Sequence, residues 1–205
     1  NRCFNEKLSE NFCGANEIET RRVPGTAAWA ILSTASNTPN RYTGHTMSEQ
    51  SAVQRVLADL QPRIGQEIHC SDWLVVSQQR INEFAQATSD HQWIHTDPVR
   101  AARESPWKTT IAHGYLTLSL YPMLRGLVDA DQPLFPGVTR VINYGLDKLR
   151  FPNAVKSGSR VRARCVLLKL EEVTGGLQLT EQYTVEIEGE SKPACVAEAI
   201  MRAYF

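Results

Sequence analysis

The residues best suited to chemistry lie close together in Ser89-Asp90-His91-Gln92-Trp93-Ile94-His95-Thr96-Asp97-Pro98, with His113-Gly114 following eighteen residues after His95. Acidic and imidazole side chains are interleaved here with a Trp and an Ile of the kind that are normally buried. A carboxylate and an imidazole held against apolar surface suit proton transfer, because burial and a close partner move pKa values toward the working pH. Asp90 and His95 are therefore the candidate acid–base pair. Spacing alone fits equally well a loop Asp bonding its own backbone and a structural His bonded to a carbonyl. His91, His95 and Asp97 could be taken for metal ligands, but a site needs further ligands with convergent geometry. Asp97 reads instead as a helix cap, and no metal is expected.

The elements that must position these residues follow from local signals. Ser77 is a candidate N-cap, and Ile81, Phe84, Ala85 and Thr88 at helical spacing predict a short amphipathic helix over 78–88, with Asp90 just past its end. Asp97-Pro98 is a second helix start, with Asp97 capping and Pro98 at the first helical position, which predicts a helix over 98–104. Residues 91–96 are then the connecting loop. From Ile111 to Val128 the chain is apolar nearly all round, through Tyr115, Leu116, Leu118, Leu120, Tyr121, Met123, Leu124 and Leu127. Such a helix should be buried on every side, with a kink at Pro122, and His113-Gly114 stands at its mouth.

Strands account for the remainder. Ile64–Val76 reads as one strand of increasing burial, 138–151 as another, and 160–170 and 177–187 alternate apolar with polar residues, joined by a tight turn at Gly175-Gly176. Ala194–Phe205 closes the sheet. The expected fold is α+β, a curved antiparallel sheet of about five strands around a long central helix.

Composition narrows the function classes. With 22 basic and 22 acidic residues in 205, the formal net charge is zero, against a general binder of nucleic acid or anionic membrane. No apolar run approaches the length of a membrane span. The five cysteines are scattered and odd in number, which favours neither a disulfide framework nor a zinc site and fits a reducing cytoplasm. Residues 1–46 lack periodicity and are expected to be poorly ordered. The run Ala27–Ala35 after Arg21-Arg22 is short for a signal-peptide core. Met47 is the preferred natural start, leaving a domain over 47–205.

Three separated motifs carry a family resemblance. Phe84 … Ser89-Asp90-His91-Gln92-Trp93-Ile94-His95-Thr96-Asp97-Pro98 … Ala101, then Ile111-Ala112-His113-Gly114-Tyr115-Leu116, then Leu149-Arg150-Phe151-Pro152 … Val155 … Gly158 resemble the MaoC-like (R)-specific enoyl-thioester hydratases of the hot-dog fold, and their nodulation-protein-N-like branch above all. The resemblance runs from about residue 60 to the end. It implies that Asp90 and His95 are catalytic, holding one water on one face of a double bond. The family pattern has Gly, Asn and Pro where this chain has Ser89, Gln92 and Trp93, departures that point to a reshaped loop and acyl pocket lined by Gln92 and Trp93. Gly114, at a helix N-terminus, would let free N–H groups polarise a thioester carbonyl. Ser119 falls where some members carry a site hydroxyl, and His113 reads as a packing or hydrogen-bonding residue. The implied activity is reversible hydration of a trans-2-enoyl thioester with no cofactor, the carrier being coenzyme A or, as the alternative, acyl carrier protein. A hot-dog thioesterase and a non-catalytic acyl-thioester binder are the competing readings. A homodimer is expected, since such domains pair their sheets edge to edge.

Overall fold

Alternation of apolar and polar residues builds the sheet. In the computed structural model, which describes residues 51–205 apart from Val128 and Ala130, the strands are β1 (Glu67–Cys70), β2 (Leu74–Val75), β3 (Arg140–Arg150), β4 (Arg160–Val173), β5 (Gly176–Ile187) and β6 (Cys195–Tyr204). They form one antiparallel sheet in the order β1-β4-β5-β6-β3, with β2 also on β4. Val161, Ala163, Cys165 and Leu167 of β4 are fully buried, as are Leu177, Leu179, Tyr183 and Val185 of β5. The intervening residues face water and are laced by charge: Arg162 and Arg164 both reach Glu186, at 2.6 and 3.0 Å, and Arg164 also reaches Glu67 at 2.8 Å. Exposed pairs of this kind add only a few tenths of a kcal/mol each. The reading of residues 1–46 as separate from the domain lies outside the described residues.

Among the described residues six α-helices accompany the sheet: α1 (Ala52–Leu60), α2 (Gln78–Thr88), α3 (Trp93–Thr96), α4 (Pro98–Glu104), α5 (Gly114–Ser119) and α6 (Tyr121–Leu124). Leu116, Leu120, Tyr121 and Leu124 pack on Val161, Ala163, Cys165, Tyr183 and Val185, so α5 and α6 cover one face of the sheet. This is the α+β hot-dog architecture expected from the sequence. A second cluster sets Val56 and Leu60 of α1 against Leu167, Leu179 and Met201; α1 had no counterpart in the sequence reading. Among the described residues no helix is long and apolar enough to cross a membrane.

Three expectations need correction. The strand over 64–76 is two short strands on β4, because at Ser71 the hydroxyl takes the Ala163 N–H at 2.9 Å and interrupts the regular ladder. The sheet of the described residues therefore has six strands, in line with the expected count of about five. The long central helix over 111–128 is two short helices meeting at Leu120, since Pro122 has no N–H for the Leu118 carbonyl. A Schellman cap ends α6: Gly126 N–H bonds Met123 O at 3.2 Å and Leu127 N–H bonds Pro122 O at 2.8 Å, with Gly126 at φ +76°. Nor is this segment buried all round, for Tyr115 is 66% and Met123 48% exposed. Finally, 91–96 is not wholly a loop. Gln92 O accepts from His95 N–H at 2.9 Å and Thr96 N–H at 3.2 Å, which folds α3.

Candidate active site

Caps deliver the acid–base residues to one place. Ser77 Oγ accepts from Arg80 N–H at 3.2 Å to start α2, and Ser89 ends it in the left-handed region at φ +60°. That is the position where the resembled pattern has glycine, which takes this conformation without strain. The reversal projects Asp90 out of the helix. Its carboxylate is part-exposed, and Oδ1 accepts from Gln92 Nε2 at 3.2 Å. The turn of α3 then carries His95 inward to 6% exposure. Asp97 takes the Arg100 N–H at 2.9 Å and begins α4, as its sequence context predicts.

The hydrogen bonds of His95 define its chemistry. Nδ1 lies 2.7 Å from the Ile111 carbonyl, an acceptor only, so Nδ1 carries the proton and Nε2 keeps the lone pair in the neutral ring. The segment is braced by Gln78, whose Nε2 donates to His95 O at 2.7 Å and whose Oε1 accepts from Thr110 Oγ1. Burial holds the His95 imidazole below its ordinary pKa; the Ile111 carbonyl works against this, His113 adds to it, and Asp90 opposes it. A neutral His95 with Nε2 free is thus the resting form at neutral pH.

His113 completes the cluster. Its ring stacks on His95 with centroids 3.7 Å apart and planes at 26°, and its Nε2–H donates to the Asp90 carbonyl at 3.0 Å. One nitrogen or oxygen from each of Asp90, His95 and His113 lies within 4.8 Å of the others. Rings stacked so nearly parallel direct their in-plane lone pairs side by side rather than at one point, poor geometry for sharing a metal ion.

Beside His95 opens a cavity of about 370 Å³, walled by Trp107, Ile111, Gly114, Thr117 and Phe151 among others. Gly114 is necessary to this wall: a Cβ there would fall 2.8 Å from the Phe151 ring. The close approach expected at Gly114 is thus made by Phe151. Three residues depart from their expected places, the first being Gln92, which is exposed and absent from the cavity wall. Trp93 is absent from the cavity wall, its indole lying under the Arg100 guanidinium at 4.4 Å. Ser119 is exposed, donates to Tyr115 O at 2.7 Å, and borders a different groove with Leu118, Pro122 and Leu146. Trp107, Thr117 and Phe151 were assigned no role from the sequence. Phe151 stood within a recognised motif and could have been suspected; Trp107 sits in a turn with Lys108 at φ +58° that has no periodic signal.

Comparisons with known proteins identify the family. A profile of the MaoC-like domain matches residues 59–189. The chain is 50% identical over 147 residues to 3-hydroxyacyl-thioester dehydratase Z of Mycobacterium tuberculosis, covering 71% of this chain and 94% of that protein. It is 49% identical over 145 residues to nodulation protein N of Rhizobium leguminosarum bv. viciae, covering 70% and 88%. Among solved structures, the (R)-hydratase from A. caviae involved in PHA biosynthesis superposes with a TM-score of 0.51 at 26% identity, over 67% of this chain and 94% of that one. With the profile spanning more than half its length and near relatives aligned almost end to end, the chain belongs to the MaoC-like domain family.

Proposed function

We propose that this protein is a hydro-lyase that reversibly adds water across a trans-2-enoyl thioester to give the (R)-3-hydroxyacyl thioester, with coenzyme A as carrier and acyl carrier protein as the alternative. The observation that carries the reading is the Asp90 carboxylate beside a buried, neutral His95 at the end of an apolar cavity. A water between them gives a proton to Nε2 of His95 while its oxygen bonds C3. The double-bond electrons move to C2 and the thioester carbonyl, and the pair returns a proton to C2, so that H and OH are added with no net change in the enzyme. The first-turn N–H groups of α5, which have no intrahelical acceptor and begin at Gly114 on the cavity wall, stabilise the enolate-like oxygen in this reading. The named activity of the M. tuberculosis relative supports this direction of chemistry.

The test is the loss of conjugated-enoyl absorbance with crotonyl-CoA and longer enoyl-CoA substrates, with the product analysed for the R configuration. Hydration of at least one is expected. Thiol release from saturated acyl-CoA without hydration would select the thioesterase reading, and tight binding with no turnover would select a non-catalytic binder. The free thiols of Cys70, Cys165 and Cys195 support a cytoplasmic setting.

The assembly we propose is a homodimer through β3. Among the described residues this strand ends the sheet and pairs only with β6, and of its eleven residues only Val141 and Leu149 are even partly buried. Ile142, Tyr144 and Leu146 are each more than 40% exposed, and so is Tyr115 of α5, whose ring meets Phe151 just past the end of β3. An apolar edge left open invites uncontrolled pairing, and a second copy would cover it. Light scattering should give the mass of a dimer, and Ile142→Glu with Leu146→Glu should shift it to the monomer. A wild-type monomer at micromolar concentration would refute the dimer.

A further inference from the structure

The environment of His113 is not explained by its own hydrogen bonding. The side chain is 3% exposed, stacked on His95 and packed against Phe84 with centroids 5.1 Å apart. Its Nε2 gives its proton to the Asp90 carbonyl, which leaves Nδ1 as the acceptor, and Nδ1 is buried with no partner among the described residues. A buried acceptor without a donor is destabilising. A phenylalanine would fill nearly the same space without that penalty. What histidine adds here is direction: a donor aimed at the main chain of one reacting residue, and a polar ring laid against the other.

We propose that His113 is a positioning residue for the acid–base pair, tying the Asp90 main chain through Nε2–H and backing the His95 ring, so that the Asp90 carboxylate and His95 Nε2 address one water. The inference rests on the hydratase reading above. His113 sits just ahead of α5, so the residue that begins the helix beside the cavity also sets the two groups that flank the water. Beyond burial and the Ile111 carbonyl, two neighbours of His95 act on its charge in opposite directions. From the segment ahead of α5 comes the His113 imidazole, which makes a proton on His95 less favourable; from the end of α2 comes Asp90, which makes it more favourable. The other polar groups facing His95 are neutral, namely the Gln78 amide and the Ile111 carbonyl. Without the His113 ring, His95 should take up its proton at higher pH.

The experiment compares His113→Phe and His113→Gln in the full chain, reading kcat, KM, Tm and the His95 imidazole titration by NMR without substrate. For Phe, kcat should fall on the order of tenfold or more with KM nearly unchanged, because alignment matters most in the transition state. Tm should hold or rise. Gln, whose Nε2 can reach the Asp90 carbonyl, should recover most of the lost kcat. In both variants the His95 titration, and the acid limb of kcat/KM with it, should move to higher pH. An unmoved titration with wild-type kcat in the Phe variant overturns the proposal. So does a kcat loss that tracks a falling Tm with Gln no better than Phe, since that is the signature of packing alone. If Phe does not fold, the Gln variant and its titration decide. The titration needs no turnover, so it judges His113 separately from the proposed reaction.

Discussion

Asp90→Asn should lower kcat by on the order of a hundredfold or more with little change in KM, because the loss falls on proton transfer in the transition state and not on substrate binding. Asn keeps the size of the side chain and can still accept from the Gln92 amide that meets Oδ1 at 3.2 Å. What disappears is the charge. His95→Ala should be at least as damaging, since it removes Nε2, the proposed proton acceptor, whose lone pair is set by the Nδ1–H bond to Ile111 O. The pH profile gives the sign. In the proposed mechanism His95 acts when neutral, and burial lowers its pKa below the ordinary value of about 6.5. Activity should therefore be flat through neutrality and fall only as pH drops through that depressed value, where Nε2 gains a proton. Asp90 favours that proton, so in Asp90→Asn the residual activity should lose its acid limb at a still lower pH. The two groups are coupled and the limb belongs to the pair. A variant that lost affinity with kcat intact would make Asp90 a substrate-positioning residue and place the proton transfer elsewhere.

How much of this was legible depended on whether the cause was local. Helices α2 and α4 stand where their caps predict, because Ser77 and Asp97-Pro98 act within one turn and need nothing from the rest of the chain. The β4–β5 pairing was legible for the same reason, from alternation on both sides of a glycine turn. What failed was tertiary. Tyr115 and Met123 are apolar and sit in an apolar helical run, yet both face outward; periodicity cannot distinguish an apolar residue facing the core from one left exposed. α3 is four residues long and is held by the Gln92 carbonyl and by the bond of His95 to Ile111, contacts with no sequence signature. The motif placed Asp90 and His95 in one short segment, but the stacking of His113 on His95 depends on how the start of α5 meets the end of α2. Trp93 looked like a pocket residue by its position in the motif. Arg100, one turn into the next helix, draws its indole aside.

The largest stability effect should come from a pair outside the site. Glu181 on β5 is fully buried, and both its oxygens meet Arg125 at 2.8 Å, a bidentate pairing just past the end of α6; Tyr121 OH donates to Oε2 at 3.2 Å. Burial opposes the Arg125 charge, and the hydrogen bond and charge of Glu181 more than restore it. Glu181→Leu leaves that guanidinium buried with no counter-charge and should destabilise the domain by about 3–5 kcal/mol. For a domain of this size that is a fall in Tm of roughly 6–20 °C. Arg125→Met alone should do comparable damage by stranding the carboxylate. The double variant should recover most of the loss, because two apolar side chains of similar volume remove the desolvation penalty and the attraction together. Thermal unfolding of the four proteins measures the coupling directly. Additive losses in the double variant would mean that the two residues act separately and that the pair does not hold α6 to β5. A double variant that regains stability but not kcat would mean that the pair sets the roll of the α5–α6 segment on the sheet, and through it the placing of His113 and Gly114 at the cavity.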